Sequence, residues 1–206
     1  MEVEKILVAV GREPNTKNIG LGNIGIELEK GFVKVREYYK TNVENIYAIG
    51  DIINTPQLAH VASKEGEIAV ENMVGHKTEK FIDINKIPSA IYSEPQIASF
   101  GYTEEKLKEK KIDYKKFIFP YRGIGKSVAI EKSEGFVKIL TDKNTDEILG
   151  AHIVGAEATE LIHEMLLAKN AELLPEDISK MIHTHPTLSE GIMEAFRGIE
   201  GWAIHI

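Results

Sequence analysis

Two runs of unbroken apolar residues lie in the first quarter of the chain, and alternating or helically spaced positions follow. Ile6, Leu7, Val8, Ala9 and Val10 make a run of strand length with no polar side, which predicts a strand buried on both faces and ending at Gly11. Residues 45–50 predict a second strand that ends at Asp51. Beyond it Leu58, Val61, Ala62, Ala69 and Met73 recur at helical spacing, so Asp51 falls on a strand-to-helix connection.

The rhythm changes after the polar stretch Gly75-His76-Lys77-Thr78, which places a domain boundary near residue 85. Strands are expected at 97–101, at 114–121 with Phe117 and Phe119 alternating, at 135–140 and at 148–154. The polar span 141–146 reads as a hairpin connection, and the charged stretch 103–111 as a solvated helix. Three helices should close the domain. The first is 158–170 with Leu161, Ile162, Met165 and Leu166 inward, and the second 175–182 with Ile178, Met181 and Ile182 inward. The third runs from Thr187 to about Ile199. Strands followed by helices predict an α+β fold, an antiparallel sheet covered by helices.

Composition narrows the function classes. With 43% hydrophobic and 28% charged residues the chain has the makings of a globular core. A net charge of −7 argues against nucleic acid as a partner, because gripping a phosphate backbone requires a basic surface. No apolar run approaches the roughly 20 residues that span a bilayer. The start of the chain lacks a secretory pattern, so the expected location is cytoplasmic. Cysteine is absent, which removes both disulfide and thiol chemistry from the chain itself.

Candidate chemistry concentrates near the end, at His185-Pro186-Thr187-Leu188-Ser189-Glu190. A carboxylate bonded to one nitrogen of an imidazole fixes its tautomer and leaves the other nitrogen to act on a substrate. The same spacing has a structural reading: Thr187 and Glu190 stand as N-cap and N3 of a capping box. Two other motifs fail on context. Gly20-Leu21-Gly22-Asn23-Ile24-Gly25 has the glycine spacing of a dinucleotide turn but neither follows a buried strand nor opens a helix. Gly125-Lys126-Ser127 resembles the end of a phosphate loop but has Pro120 where the first glycine is required. Among the histidines, His183 and His185 stand two apart and His152, His163 and His205 lie elsewhere. With no cysteine ligand and no His-Glu-x-x-His arrangement, no metal site is expected.

The C-terminal hexapeptide resembles the signature of the flavoprotein disulfide reductases, and its Leu188-Ser189-Glu190 ending resembles the dihydrolipoamide dehydrogenase branch. Two further stretches agree in order. They are residues 8–15, from Val8 through Gly11, Arg12 and Pro14 to Asn15, and residues 41–66, with Ile49-Gly50-Asp51, Leu58-Ala59-His60 and Glu65-Gly66. The resemblance runs over essentially the whole chain but covers only the second half of such an enzyme. It implies a division into the last strand of an NAD domain (1–15), a partial FAD-binding region (16–84) and a dimerisation or interface domain (85–206).

By this resemblance Asp51 bonds the ribityl chain of FAD, and the segment Leu58-Ala59-His60 at a helix start points at the flavin ring. Gly50, Gly11 and Pro186 join them as cofactor-side positions, with Gly11 and Arg12 near NAD in an intact enzyme. His185 is implied as the base that deprotonates a dihydrolipoyl thiol, with Glu190 orienting it, in the active site of a partner subunit. The implied reaction is oxidation of protein-bound dihydrolipoyl groups by NAD through FAD and a redox disulfide that this chain does not carry. The implied partners are a second copy of the chain and the lipoyl-bearing subunits of 2-oxo acid dehydrogenase complexes. A glutathione reductase-like enzyme is the nearest alternative, disfavoured because its ending reads Ser-Ser-Glu. Mercuric reductases fit less well, since their C-terminal cysteine pair has no counterpart. A non-enzymatic dimerisation module of the same fold is the alternative from another class. The isolated chain is expected to be inactive and to bind FAD weakly or not at all.

Overall fold

The computed structural model describes residues 2–205. The chain divides into two compact units, Met1–Ile82 and Asp83–Ile206.

In the first unit the two apolar runs do not become strands. Residues 6–10 join no ladder, and Ile6, Leu7, Val8 and Val10 are between 75% and 94% exposed, against the expectation of a strand buried on both faces. The reason is physical. A strand of that kind exists only between neighbours that supply its hydrogen bonds, and none is provided by the described residues. Residues 45–50 likewise form no strand: Tyr47 makes an isolated bridge to Lys40, and Gly50 opens a 3-10 turn (Gly50–Ile52). Besides short 3-10 turns, the regular elements described here are a hairpin of two-residue strands and one long helix. Strands β1 (Leu28–Glu29) and β2 (Phe32–Val33) pair across Lys30 and Gly31, both left-handed, the combination that a type I′ turn requires. Helix α1 (Ala59–Met73) turns Val61, Ile68 and Ala69 inward. Ile68 packs with Ile26, Val33, Tyr39, Ala48 and Ile53. Gly20–Gly25, the rejected dinucleotide turn, is a single 3-10 turn (Leu21–Ile24) between two left-handed glycines.

The second unit is built on a five-stranded antiparallel sheet in the order β3 (Ser89–Ile91), β4 (Gln96–Gly101), β7 (Ile148–Gly155), β6 (Phe136–Asp142), β5 (Tyr114–Pro120). Helix α2 (Glu104–Lys110) connects β4 to β5, and the short α3 (Gly125–Ala129) precedes β6. Alternation in the central strands sends Ala98, Phe100, Phe119, Val137, Ile139, Ala151 and Ile153 to one face. Helices α4 (Ala158–Asn170) and α6 (Glu190–Ile199) cover that face, with α5 (Pro175–Ser179) against α6. Ala158, Ile162, Met165, Ile192, Ala195 and Phe196 complete the core. The fold is α+β.

Two closing helices differ from expectation. α5 stops at Ser179, leaving Ile182, expected inward, 96% exposed and Met181 exposed as well. α6 starts at Glu190 and not at Thr187. At its far end Gly198 is dictated by packing, because a Cβ there would lie 2.1 Å from the Phe117 ring of β5. The serine of the rejected phosphate loop, Ser127, is fully buried and donates to the backbone carbonyl of Ile124 at 2.8 Å, so it is a structural hydroxyl.

On the opposite face of the sheet Glu104 receives Lys116 at 3.0 Å, Tyr114 at 3.1 Å and Lys138 at 3.3 Å. The Lys116 bond leads the three in holding its carboxyl at about 2, against a burial effect that opposes the shift. A carboxyl depressed in the fold stabilises it fully above the ordinary value of 4.5, and that contribution disappears as pH falls toward 2. The urea midpoint of the chain should therefore drop between about pH 5 and pH 2, and Glu104→Gln should flatten that part of the profile. Equal slopes for the two proteins would contradict the assignment.

Candidate active site

The segment between α5 and α6 has no regular structure, and side chains fix it to its surroundings. His183 is the inward anchor. Its Nε2 lies 2.7 Å from Glu164 Oε1 of α4 and its Nδ1 3.3 Å from the Met181 carbonyl. The Glu164 bond raises the His183 pKa, burial opposing. Two residues on, His185 faces out, with its side chain 76% exposed.

His185 Nδ1 and Glu190 Oε1 are 2.9 Å apart, while Glu190 Oε2 accepts the Thr187 N–H at 2.9 Å. One carboxylate therefore does both things that its position predicted. It holds the imidazole and it reaches back to the backbone ahead of the helix. The reciprocal half of a capping box is missing, because the Thr187 hydroxyl donates to the Thr184 carbonyl at 2.7 Å. Burial pushes the Glu190 carboxyl up, but the Thr187 amide and His185 outweigh it and hold it below the usual range. An ionised carboxylate accepts only, so the nitrogen facing it carries a hydrogen, and in the neutral tautomer this selects, Nε2 is the open acceptor.

One helical turn further, Glu194 is 2% exposed and saturated with donors. Its Oε2 accepts the backbone N–H groups of Ile204 at 2.7 Å and His205 at 3.2 Å, and its Oε1 accepts Arg197 at 2.7 Å. Arg197 in turn lies over the Trp202 ring at 4.7 Å. His185, Glu190, Glu194 and His205 line one cavity of about 280 Å³ together with Phe119 and Met193. Neither Glu194 nor a position for His205 in this cavity was read from the sequence. They are eleven residues apart and joined only through the fold of the tail.

In the first unit Gly50 is left-handed, and a Cβ there would approach that of Ala62 to 3.3 Å. Its N–H donates to Glu65 Oε2 at 2.7 Å, and Glu65 is fully buried, its Oε1 without a hydrogen-bond partner among the described residues. Asp51 is exposed and pairs with Arg12 at 3.5 Å, while Arg12 also donates to the Gln57 carbonyl at 2.6 Å. Helix α1 begins without help. Leu58 gives no side-chain cap and the first turn holds no acidic residue, so its amide end favours an anion. Ala59 and His60 are exposed there. Gly11 lies in the exposed segment next to Arg12, and Pro186 is exposed beside His185. Two further histidines have separate bonds: His152 Nε2 with the Tyr102 carbonyl at 3.1 Å and His163 Nδ1 with that of Glu160 at 3.2 Å. Among the described residues no three His, Cys, Asp or Glu side chains are grouped to hold a metal ion.

Residues 87–196 match the model of the pyridine nucleotide-disulphide oxidoreductase dimerisation domain, and residues 1–66 match that of the pyridine nucleotide-disulphide oxidoreductases. The chain belongs to the pyridine nucleotide-disulphide oxidoreductase family. Similar members of the family include a dihydrolipoyl dehydrogenase of Corynebacterium glutamicum, 45% identical over the whole chain and 44% of its own length. The human mitochondrial dihydrolipoyl dehydrogenase is 46% identical over 92% of the chain and 37% of its own length. Among solved structures, the HOCl-induced flavoprotein disulfide reductase RclA of Escherichia coli aligns with a TM-score of 0.86 at 26% identity. That alignment covers 92% of this chain and 44% of RclA. The chain thus spans less than half the length of the relatives it matches. No helix among the described residues is long and apolar enough to cross a membrane.

Proposed function

We propose that the chain performs the C-terminal share of a dihydrolipoyl dehydrogenase, in which His185 takes the proton from a dihydrolipoyl thiol and Glu190 orients it. One observation carries the reading: the 2.9 Å bond from His185 Nδ1 to a carboxylate that is itself fixed by the Thr187 amide. That bond selects the tautomer with a basic Nε2, and the surrounding cavity gives a substrate access to the ring. The similarity to dihydrolipoyl dehydrogenases supplies the substrate class. An NAD-linked reaction and lipoyl-bearing subunits as partners come with that proposal, as does a cytoplasmic location.

The residues around Asp51 fit FAD. An exposed carboxylate suits ribityl hydroxyls, and the uncapped amide end of α1 suits the negative end of a reduced flavin ring. Bound there, FAD would carry electrons from the substrate toward NAD. The chain's own share is to hold and orient: Asp51 by hydrogen bonds, Gly50 by letting the turn close against Ala62, and Glu65 by gripping the Gly50 amide.

Without cysteine the chain has no redox disulfide, so dithiol oxidation is proposed only for an enzyme that supplies one. The purified chain should be colourless. Stoichiometric flavin after gel filtration would overturn that part of the proposal. Dimerisation is the second expectation: Leu167, Leu173, Leu174, Met181 and Ile182 are large apolar side chains left exposed on or near α4 and α5. Sedimentation at micromolar concentration should give twice the 23.0 kDa chain mass, and a 23.0 kDa particle would contradict it.

A further inference from the structure

We propose that His205, backed by Glu194, is a second proton acceptor in the cavity that His185 lines, placed to take the proton of the second thiol of a dithiol. The inference rests on the dithiol reading above and extends it to a residue outside the hexapeptide.

The geometry repeats a motif. Glu190 and Glu194 are one turn apart on α6, and each places a carboxylate oxygen beside the Nδ1 of a histidine: a hydrogen bond of 2.9 Å for His185, and a looser ion-pair approach of 3.4 Å for His205, at an oxygen that Arg197 also reaches. Both rings border the same cavity, and in both the Nε2 has no protein partner among the described residues. The seat of His205 is built into the fold. Glu194 is buried and binds two consecutive backbone amides of the tail, and a Cβ at Gly123 would come within 2.7 Å of the His205 carbonyl. Burial pushes the Glu194 carboxyl up, but the Ile204 amide, Arg197 and His205 more than compensate and hold it ionised below the usual range. An ionised Glu194 can only accept, so its charge beside Nδ1 favours the His205 ring with a hydrogen there and Nε2 open, a weaker form of the bond by which Glu190 orients His185.

The chemistry gives two such groups something to do, since there are two protons to place. Closing a dithiol into a cyclic disulfide releases two protons and two electrons. The first thiol gives its proton to His185 Nε2, and its sulfur attacks an acceptor disulfide elsewhere in the enzyme, forming a mixed disulfide and expelling one thiolate. The second thiol gives its proton to His205 Nε2. Its sulfur then attacks the substrate sulfur of the mixed disulfide, closing the cyclic disulfide and expelling the second thiolate. The acceptor dithiolate holds both electrons, and each imidazole holds one proton. A single imidazole would have to release the first proton before it accepted the second.

The test is an NMR titration of the 206-residue chain with dihydrolipoamide, and separately with a monothiol of similar length, observing the imidazole resonances. Dihydrolipoamide should move the rings of both His185 and His205 with one midpoint. His205→Gln should weaken dihydrolipoamide binding about 5-fold, the worth of one hydrogen bond, and leave the monothiol unaffected. The His205 side chain is 63% exposed, so the substitution does not threaten the core, and an unchanged circular dichroism spectrum verifies this. A response confined to His185, with unaltered dihydrolipoamide affinity in the variant, would overturn this inference and leave His185 as the base. Silence at both rings would overturn both.

Discussion

Replacing His185 with glutamine in a full-length enzyme that contains this chain should lower dithiol oxidation by about 100- to 10,000-fold, the range that general-base catalysis contributes. Glutamine keeps much of the size and hydrogen-bonding capacity of the ring but cannot titrate. Glu190→Gln should lose less, because the imidazole stays in the cavity and only its orientation and basicity change. The two losses should fall well short of additive, since an orienting carboxylate has little left to orient once the ring is gone. Steady-state kcat/KM for the single and double variants decides it. If Glu190→Gln lowered the melting temperature and left turnover unchanged, its bond to the Thr187 amide would be its whole role.

Phe196→Ala should cost the second unit about 3–5 kcal/mol, a large share of the roughly 5–15 kcal/mol that stabilises an ordinary domain. Phe196 is fully buried on α6 in the main core, where that helix lies on β5 and β6. Six residues separate it from Glu190 on the same helix, so loosening this packing also loosens the carboxylate that holds His185. A urea titration of the chain should show the midpoint falling sharply. A loss under about 1 kcal/mol would mean that α6 is not held by this contact.

The sheet of the second unit was legible because its strands alternate. Phe117 and Phe119, or Val137 and Ile139, declare a face without reference to any other element. Strand β3, at the edge and only three residues long, left no pattern to read. The runs at 6–10 and 45–50 misled for the opposite reason. An unbroken apolar run states that a strand would be buried, but its neighbours are not written in it, and in this chain Leu7 and Val10 are exposed. α5 stops at Ser179, and beyond it the chain is pinned at His183, which meets Glu164 and the Met181 carbonyl, while Ile182 stays outside. At the site, His185 and Glu190 were readable because their spacing is local. The contacts of Glu194 with the tail, of Glu164 with His183 and of Arg12 with Asp51 span eleven, nineteen and thirty-nine residues, and no motif announces them.

The most direct test of the account is the tautomer of His185, read from long-range proton–nitrogen correlations in the 206-residue chain at a pH where the ring is neutral. The bond to Glu190 Oε1 predicts a proton fixed on Nδ1 and an Nε2 with the nitrogen shift of a bare acceptor, lost in Glu190→Gln. A His185 ring protonated mainly on Nε2, or one indifferent to Glu190→Gln, would contradict an oriented base.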